Sequence, residues 1–467
     1  MPAEPLDEID TTLTPDPLLT PEKLKKFYRE ELNAVRGDDK VARLQNGLKQ
    51  AYKKEKPYKA FLMGHPGVGK STELTRLIER VKGTFRVIRF SATREIDGLN
   101  FKPFDIVLIM MAEVAERTAK PIGEGGAGKR ISDALLEKIW DWFATETETQ
   151  TQATQKGAEI AGGLGVPGDS FLAKTFGLFA TLKGEIKYSA NREVTKVQQR
   201  LNRLSTLIEV ANQLLNECND YLLAEVHREW LFVGEDFEKP GIPVAQTENL
   251  FLEYSNIFNE LRTHLIFTLP ITLGYGDRAA MLPFARDRVF SIPDTPVFRP
   301  DHTSHDDGRS ALTAVLEARV STELFEEGQM MRLIVASGGN LRDLFSLITY
   351  AGQTSLIDNP PRPKINPSDV DAAIANQTKL YRGLLGESLR SGGAISYETK
   401  ADRLVKLYQQ DPNAQIPDTV LYSLLLSRAV QEFGDNSFGV HPIVVDILSS
   451  QGRIGHAVKG PVPGGTH

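Results

Sequence analysis

Cysteine is almost missing from this chain, with Cys218 the only one in 467 residues. A single thiol excludes an intramolecular disulfide and a cysteine-based zinc cluster. The flanking run Leu214-Leu215-Asn216-Glu217 reads as helix, so Cys218 is expected to be a half-buried structural thiol rather than a reactive one. No run of about 18 uninterrupted apolar residues occurs, so no segment reads as a membrane-spanning helix. Residues 1–17 lack the charged-then-apolar pattern of a secretory signal and are acidic and proline-rich instead. Positive charge is not in excess either. The net charge of −6 provides no global field to recruit nucleic acid or acidic lipid, so any such contact needs a local patch. These absences together fit a soluble protein of the reducing cytoplasm.

What is present is an ordinary globular mixture, 41% apolar and 25% charged, long enough for about two to four domains. Residues 1–20 read as a disordered lead. A helix then opens at Pro21, with Thr20 as its N-cap. A second helix follows, carrying Val41, Leu44 and Leu48 on one face. Residues 58–63 form a short apolar strand ending in a glycine loop, and residues 71–81 an amphipathic helix with Leu74, Leu77 and Ile78 on one face. Residues 85–90 alternate like a strand, and residues 104–115 read as a buried helix. Strand, loop, helix, strand begins a parallel α/β sheet. Further strands are expected at 230–233, 265–269 and 289–292. Between 119 and 229 the character changes: glycine-rich stretches at 123–128 and 162–168 flank a Thr/Gln-dense segment at 145–155. Beyond Ser189 runs an amphipathic helix with Val194, Val197, Leu201, Leu204, Ile208 and Leu215 near heptad spacing, read as a packed helical hairpin.

The strongest chemical signal is Gly64-His65-Pro66-Gly67-Val68-Gly69-Lys70-Ser71, with Thr72 following. It fits the phosphate-loop pattern completely. Glycines let successive backbone N–H groups turn inward on phosphates, Lys70 can reach the β- and γ-phosphates, and the Ser71 hydroxyl can ligate Mg²⁺. The helix behind the loop aims its positive end at the same place. ATP or ADP with Mg²⁺ is therefore the expected ligand. A second half of such a site requires acids after a buried strand, and Trp230-Leu231-Phe232-Val233-Gly234-Glu235-Asp236 supplies them. One carboxylate would serve the metal and the other the attacking water. Lys70 and Asp236 lie 236 − 70 = 166 residues apart, more than a strand and a helix need, so residues 119–229 are read as an insertion.

With these motifs the chain resembles an AAA+-related ATPase, on the STAND (signal-transduction ATPase) and origin-recognition-like branch. Val35-Arg36-Gly37-Asp38-Asp39 is similar to the element that lies against adenine there. Glu235-Asp236-Phe237-Glu238-Lys239 resembles the family's second acidic motif. The resemblance implies that Thr268 senses the γ-phosphate and that Gly338-Gly339-Asn340-Leu341-Arg342 opens a sensor helix placing Arg342 on the nucleotide. It also points to Arg286 or Arg288 as a finger completing a neighbour's site in a homo-oligomer. Val440-His441-Pro442-Ile443-Val444-Val445-Asp446 is similar to a segment whose histidine touches the β-phosphate of ADP. A helix cap is the other reading of His441, and both stay open. The implied architecture is an α/β fold: a P-loop NTPase three-layer α/β/α core with a parallel sheet (21–300) carrying the helical insertion. An all-α lid (301–390), a winged-helix domain (391–457) and a loose tail (458–467) follow.

Two functions compete. In the first, nucleotide exchange and slow hydrolysis by Lys70, Glu235, Asp236 and Thr268 drive a switch read by a protein partner or effector. In the second, a DNA-handling ATPase uses its winged helix. Residues 396–459 carry six bases (Lys400, Arg403, Lys406, Arg428, Arg453, Lys459) and seven acids (Glu398, Asp402, Asp411, Asp418, Glu432, Asp435, Asp446). Grooves of DNA are normally met by basic surfaces, so the switch is preferred. No acceptor-binding constellation points to a metabolic kinase.

Overall fold

The computed structural model describes residues 2–120, 128–129, 131–143, 171–188, 194–390, 393–434 and 437–455. Its centre is a five-stranded, wholly parallel sheet of β1 (Lys59–Met63), β2 (Phe85–Ser91), β3 (Glu229–Glu235), β4 (His264–Leu269) and β5 (Val289–Ser291), in the order β2-β3-β4-β1-β5. Each strand expected from the sequence is present. The inner strands are apolar on both faces, as a sheet covered on both sides requires. Ala60, Leu62, Leu231, Val233 and Ile266 pack under the helices Lys40–Lys53 and Lys70–Val81. Phe61, Phe90, Phe232 and Phe267 face the other way, into a larger core with the helices Pro103–Ala119 and Leu204–Val226. The result is three layers, α/β/α.

The insertion packs as part of this second layer. Its amphipathic stripe is split into Val194–Asn202 and Leu204–Val226, and Leu207, Ile208, Leu214 and Leu215 are buried against the sheet-side core. Cys218 is fully buried there, beyond the half-burial expected, and burial pushes its thiol up to about 12. The Thr/Gln-dense segment and the second glycine stretch lie outside the described residues, as do 456–467, which include the tail.

A separate core holds the lid. Helices Asp306–Glu317, Gln329–Ala336, Leu341–Ile357 and Pro367–Leu385 enclose it, and the C-terminal unit continues it. That unit runs helix Tyr397–Tyr408, helix Thr419–Leu426, a hairpin of Val430–Glu432 with Phe438–Val440, then helix Pro442–Ser450. Among the described residues no helix is long and apolar enough to cross a membrane.

The start of the chain corrects an expectation. Residues 2–20, read as a disordered lead, form two short helical turns, Leu6–Glu8 and Ile9–Thr12, and Ala3 makes a parallel bridge to Val320. Ala3, Leu6, Ile9 and Leu13 are each buried in the lid core. Four small or aliphatic side chains among acids and prolines show too little periodicity to reveal a segment that borrows another domain's core. The helix Pro21–Phe27 follows, capped by the Thr20 hydroxyl, which accepts from Lys23 N–H. Ile9 is 1% exposed, so Ile9→Ala is expected to destabilise the chain by about 2–4 kcal/mol. The urea unfolding midpoint checks this, and an unshifted midpoint would show that the segment adds no packing.

Candidate functional site

The loop between β1 and the helix Lys70–Val81 organises the site. Gly64, Gly67 and Gly69 take φ of +142°, +98° and +102°, a region where side chains are strained. Gly67 is constrained twice, because a Cβ there would approach Asn340 Oδ1 to 2.3 Å. Backbone of this kind turns N–H groups into an anion-binding nest, and the helix start adds its positive end. Lys70 is buried and uses all three ammonium donors. Two go to Gly64 O (2.8 Å) and His65 O (3.1 Å), and the third to the Glu238 carboxylate at 3.0 Å.

Over the loop lies a cleft. Its walls are residues 66–73, Glu238 and Lys239 from the turn after β3, Arg36 with residues 15–18 and 27–29 from the N-terminal side, and Val315, Arg319, Leu341, Arg342 and Phe345 from the lid. Pro66, Gly67, Val68, Gly69, Lys70, Ser71, Thr72, Arg36 and Arg342 thus share one cavity. Thr72 Oγ1 also accepts from Leu18 N–H at 3.1 Å, tying the N-terminal segment to the loop. Arg36 donates through Nε to Thr295 Oγ1 at 3.0 Å, while its Nη2 is buried without a partner. Arg342 has no ion-pair partner among the described residues.

The acids after β3 are arranged differently. Glu235 follows Leu231 and Val233 on the face under the helix Lys70–Val81 and is paired with Arg89. Arg89 in turn donates to Thr75 Oγ1 (2.8 Å) and Ser71 O (2.9 Å). Asp236, at φ +72°, accepts from Ser91 Oγ (2.5 Å) and pairs with Lys239 (2.8 Å). Burial raises this carboxyl, but Lys239 and Ser91 outweigh burial and hold it below the usual carboxylate range. Neither acid contacts the Ser71 hydroxyl. Asp236 turns instead to Ser91 at the end of β2 and to Lys239, so the carboxylate expected to converge with Ser71 on a nucleotide makes no direct contact with it. Thr268, paired in register with Leu62 on β1, has its Oγ1 buried and unpartnered.

Beneath the loop a polar chain connects three modules. His65 Nδ1 lies 2.8 Å from Asp294 Oδ2. Burial raises the Asp294 carboxyl, but His65 and Asn340 outweigh it and hold it below the usual range. Asn340 donates to both Asp294 Oδ1 (2.9 Å) and Pro66 O (3.1 Å) while its Oδ1 caps the helix Leu341–Ile357. Gln431 of the C-terminal unit donates to Gly338 O at 2.6 Å, and Arg428 donates to Asp343 at 2.7 Å.

His441 stands outside the cleft. It is fully buried, caps its own helix by accepting from Ile443 N–H (3.2 Å), sits 3.2 Å from Ser337 O and stacks on Tyr381. Of the two readings left open, the structure contains the cap, and both ring nitrogens are committed to it and to Ser337. Arg288 stacks over the Tyr58 ring at 4.3 Å, and Arg286 is exposed.

Sequence reading missed Glu238, Asp294, Asn340 and Arg319. Glu238 stood inside the quoted acidic motif, and Asn340 is an asparagine directly before an apolar helical run, an N-cap signature. Asp294 carried no signal. Arg319 lies between the Phe27 and Phe345 rings, 4.9 and 5.1 Å from their centroids, and burial pushes its guanidinium down to about 10.

Oxygen donors of this kind suit Mg²⁺, which needs few protein ligands beside phosphates. The Ser71 hydroxyl in the cleft wall fits it. Among the described residues no cluster of three or more His, Cys, Asp or Glu forms a metal cage.

No family model matches this chain, and no curated protein matches it. Among the solved structures that align with it, two do so at 13% identity over 94% of its length. One is Cdc6p from Pyrobaculum aerophilum, covered over 96% of its own chain at a TM-score of 0.37. The other is a Walker-type ATPase of Pyrococcus abyssi, covered over 99% at a TM-score of 0.40. Likeness at this level says nothing about activity.

Burial lowers the His441 imidazole from 6.5 to about 4, with Arg428 adding to the effect and Asp343 opposing it. The unfolded chain therefore binds a proton that the folded chain refuses between those values. This contribution is complete above pH 6.5 and is lost as pH falls toward 4, by roughly 3 kcal/mol at most. His441→Asn keeps a capping side chain and removes the titration. Urea midpoints between pH 7 and 4.5 should fall less for the variant, and parallel curves would count against a neutral buried imidazole.

Proposed function

We propose that this chain binds ATP with Mg²⁺ in the cleft, hydrolyses it slowly, and couples the nucleotide state to the positions of its lid and C-terminal unit. The observation that carries this reading is the sharing of one cavity by the phosphate loop, Arg36 and Arg342, residues from three separate stretches of chain. Arg342 supports it further, since a guanidinium with no ion-pair partner among the described residues suits an anionic ligand.

In this reading the loop amides and Lys70 hold the β- and γ-phosphates, and Ser71 with the phosphates holds Mg²⁺, whose role is to neutralise charge on the transferring group. Glu235 keeps Arg89 on Ser71 O and so fixes the first turn of the helix. Thr268 offers an uncommitted hydroxyl from β4. Arg36 lies on the side of the cleft away from β3 and serves the nucleoside end. Arg342 reaches the phosphates from the lid, so only a triphosphate engages both modules fully.

Coupling follows from differential contact. A ligand shifts a conformational equilibrium only by binding one state better than the other. The lid helix that carries Arg342 also carries Asn340, whose amide grips Pro66 O, and the glycine pair before it touches Gln431 and His441. A phosphate that moves Arg342 therefore pulls on the C-terminal unit through Gly338. His441 acts in this chain as a positioning residue, away from the phosphates. A protein partner would read the resulting change.

Lys70→Ala is expected to lower ATP turnover by about 100-fold or more while leaving the far-ultraviolet circular dichroism unchanged. Turnover equal to that of the original chain would defeat the hydrolytic reading.

A further inference from the structure

The acid positions after β3 leave one carboxylate facing the phosphate loop, and it is neither member of the expected pair. Glu238 lines the same cleft as Ser71 and the phosphate loop. Its side chain is 8% exposed, with Oε1 3.0 Å from Lys70 Nζ and Oε2 buried without a partner. Glu235 is committed to Arg89, and Asp236 is held by Ser91 and Lys239 on the β2 side. We propose that Glu238 is the carboxylate that accepts the proton of the attacking water, and that Lys70 holds it in reserve until a triphosphate arrives. This rests on the ATP-hydrolysing reading above.

The reserve follows from donor counting. An ammonium has three N–H donors, and those of Lys70 are shared among Gly64 O, His65 O and Glu238. The two carbonyls belong to the loop itself and stay where the loop stays. Glu238 is the partner that comes from another element, so an incoming phosphate takes the Lys70 donor that Glu238 now holds. Both carboxylate oxygens are then free, within the cleft that the phosphate loop lines. Binding of substrate thus uncovers the base.

The step balances simply. The water oxygen forms a bond to the γ-phosphorus, and the bond from that phosphorus to the β–γ bridging oxygen breaks. The bridging oxygen leaves with the electron pair as part of ADP. One water proton passes to Glu238 and then to the released phosphate or solvent, so ATP and water become ADP and inorganic phosphate.

The test uses the full chain with Glu238→Gln, Glu235→Gln and Asp236→Asn, measuring both ATP turnover and ATP affinity in the presence of Mg²⁺. Glu238→Gln should lose about 100-fold or more in turnover, within the range of general-base catalysis. It should bind ATP at least as tightly as the original chain, because a neutral amide competes less for Lys70. The other two variants should lose less than about tenfold in turnover. Turnover of Glu238→Gln within about threefold of the original, or weakened ATP binding, overturns the proposal. If that variant does not fold, Glu238→Asp keeps the charge on a shorter arm and must lose about tenfold in turnover at unchanged ATP affinity. Unaltered turnover then overturns the proposal. An original chain that binds ATP without hydrolysing it refutes the role of Glu238 alone, whereas one that binds no ATP refutes the function beneath it.

Discussion

One asparagine side chain holds the phosphate loop to the lid. Asn340 donates to Pro66 O and to Asp294 while its carbonyl oxygen caps the helix Leu341–Ile357. A buried amide with all of these partners is costly to disturb, since each lost partner leaves a desolvated group unpaired. Gly67 permits the approach, because any Cβ would collide with that same oxygen. The loop conformation, the start of the lid helix and the buried Asp294–His65 pair are therefore one arrangement rather than three.

From this joint the rest of the architecture can be traced outward. Gly338 and Gly339 sit directly before Asn340. A Cβ on Gly338 would meet the His441 ring at 2.6 Å, and one on Gly339 would meet Thr295 O at 1.7 Å. Core, lid and C-terminal unit thus meet within three residues of each other. On the opposite side the N-terminal segment buries Leu6, Ile9 and Leu13 in the lid core and donates from Leu18 to Thr72, so a second, independent tie spans the same cleft.

The sequence by itself determined the sheet and the loop. Apolar runs at each strand are long enough and punctuated clearly enough to identify all five, since buried parallel strands need near-continuous hydrophobic residues. Lys70, Ser71 and their glycines were legible because a phosphate nest depends on neighbours in sequence. The Thr20 cap and the packed stripe that includes Ile208 and Leu215 were legible for the same reason: helical spacing is local.

Tertiary structure alone decided what meets what across the cleft. The acids directly following β3 turn to Arg89, Ser91 and Lys239, whereas Glu238, two residues further on, reaches Lys70. The fate of residues 2–18 was likewise hidden, because their apolar side chains complete a core whose other buried members, Leu32 apart, lie more than 250 positions away. His441 became a cap once its burial against Ser337 and Tyr381 was set. Periodicity records which face of an element is buried, but the partner across that face is chosen only when the whole chain packs.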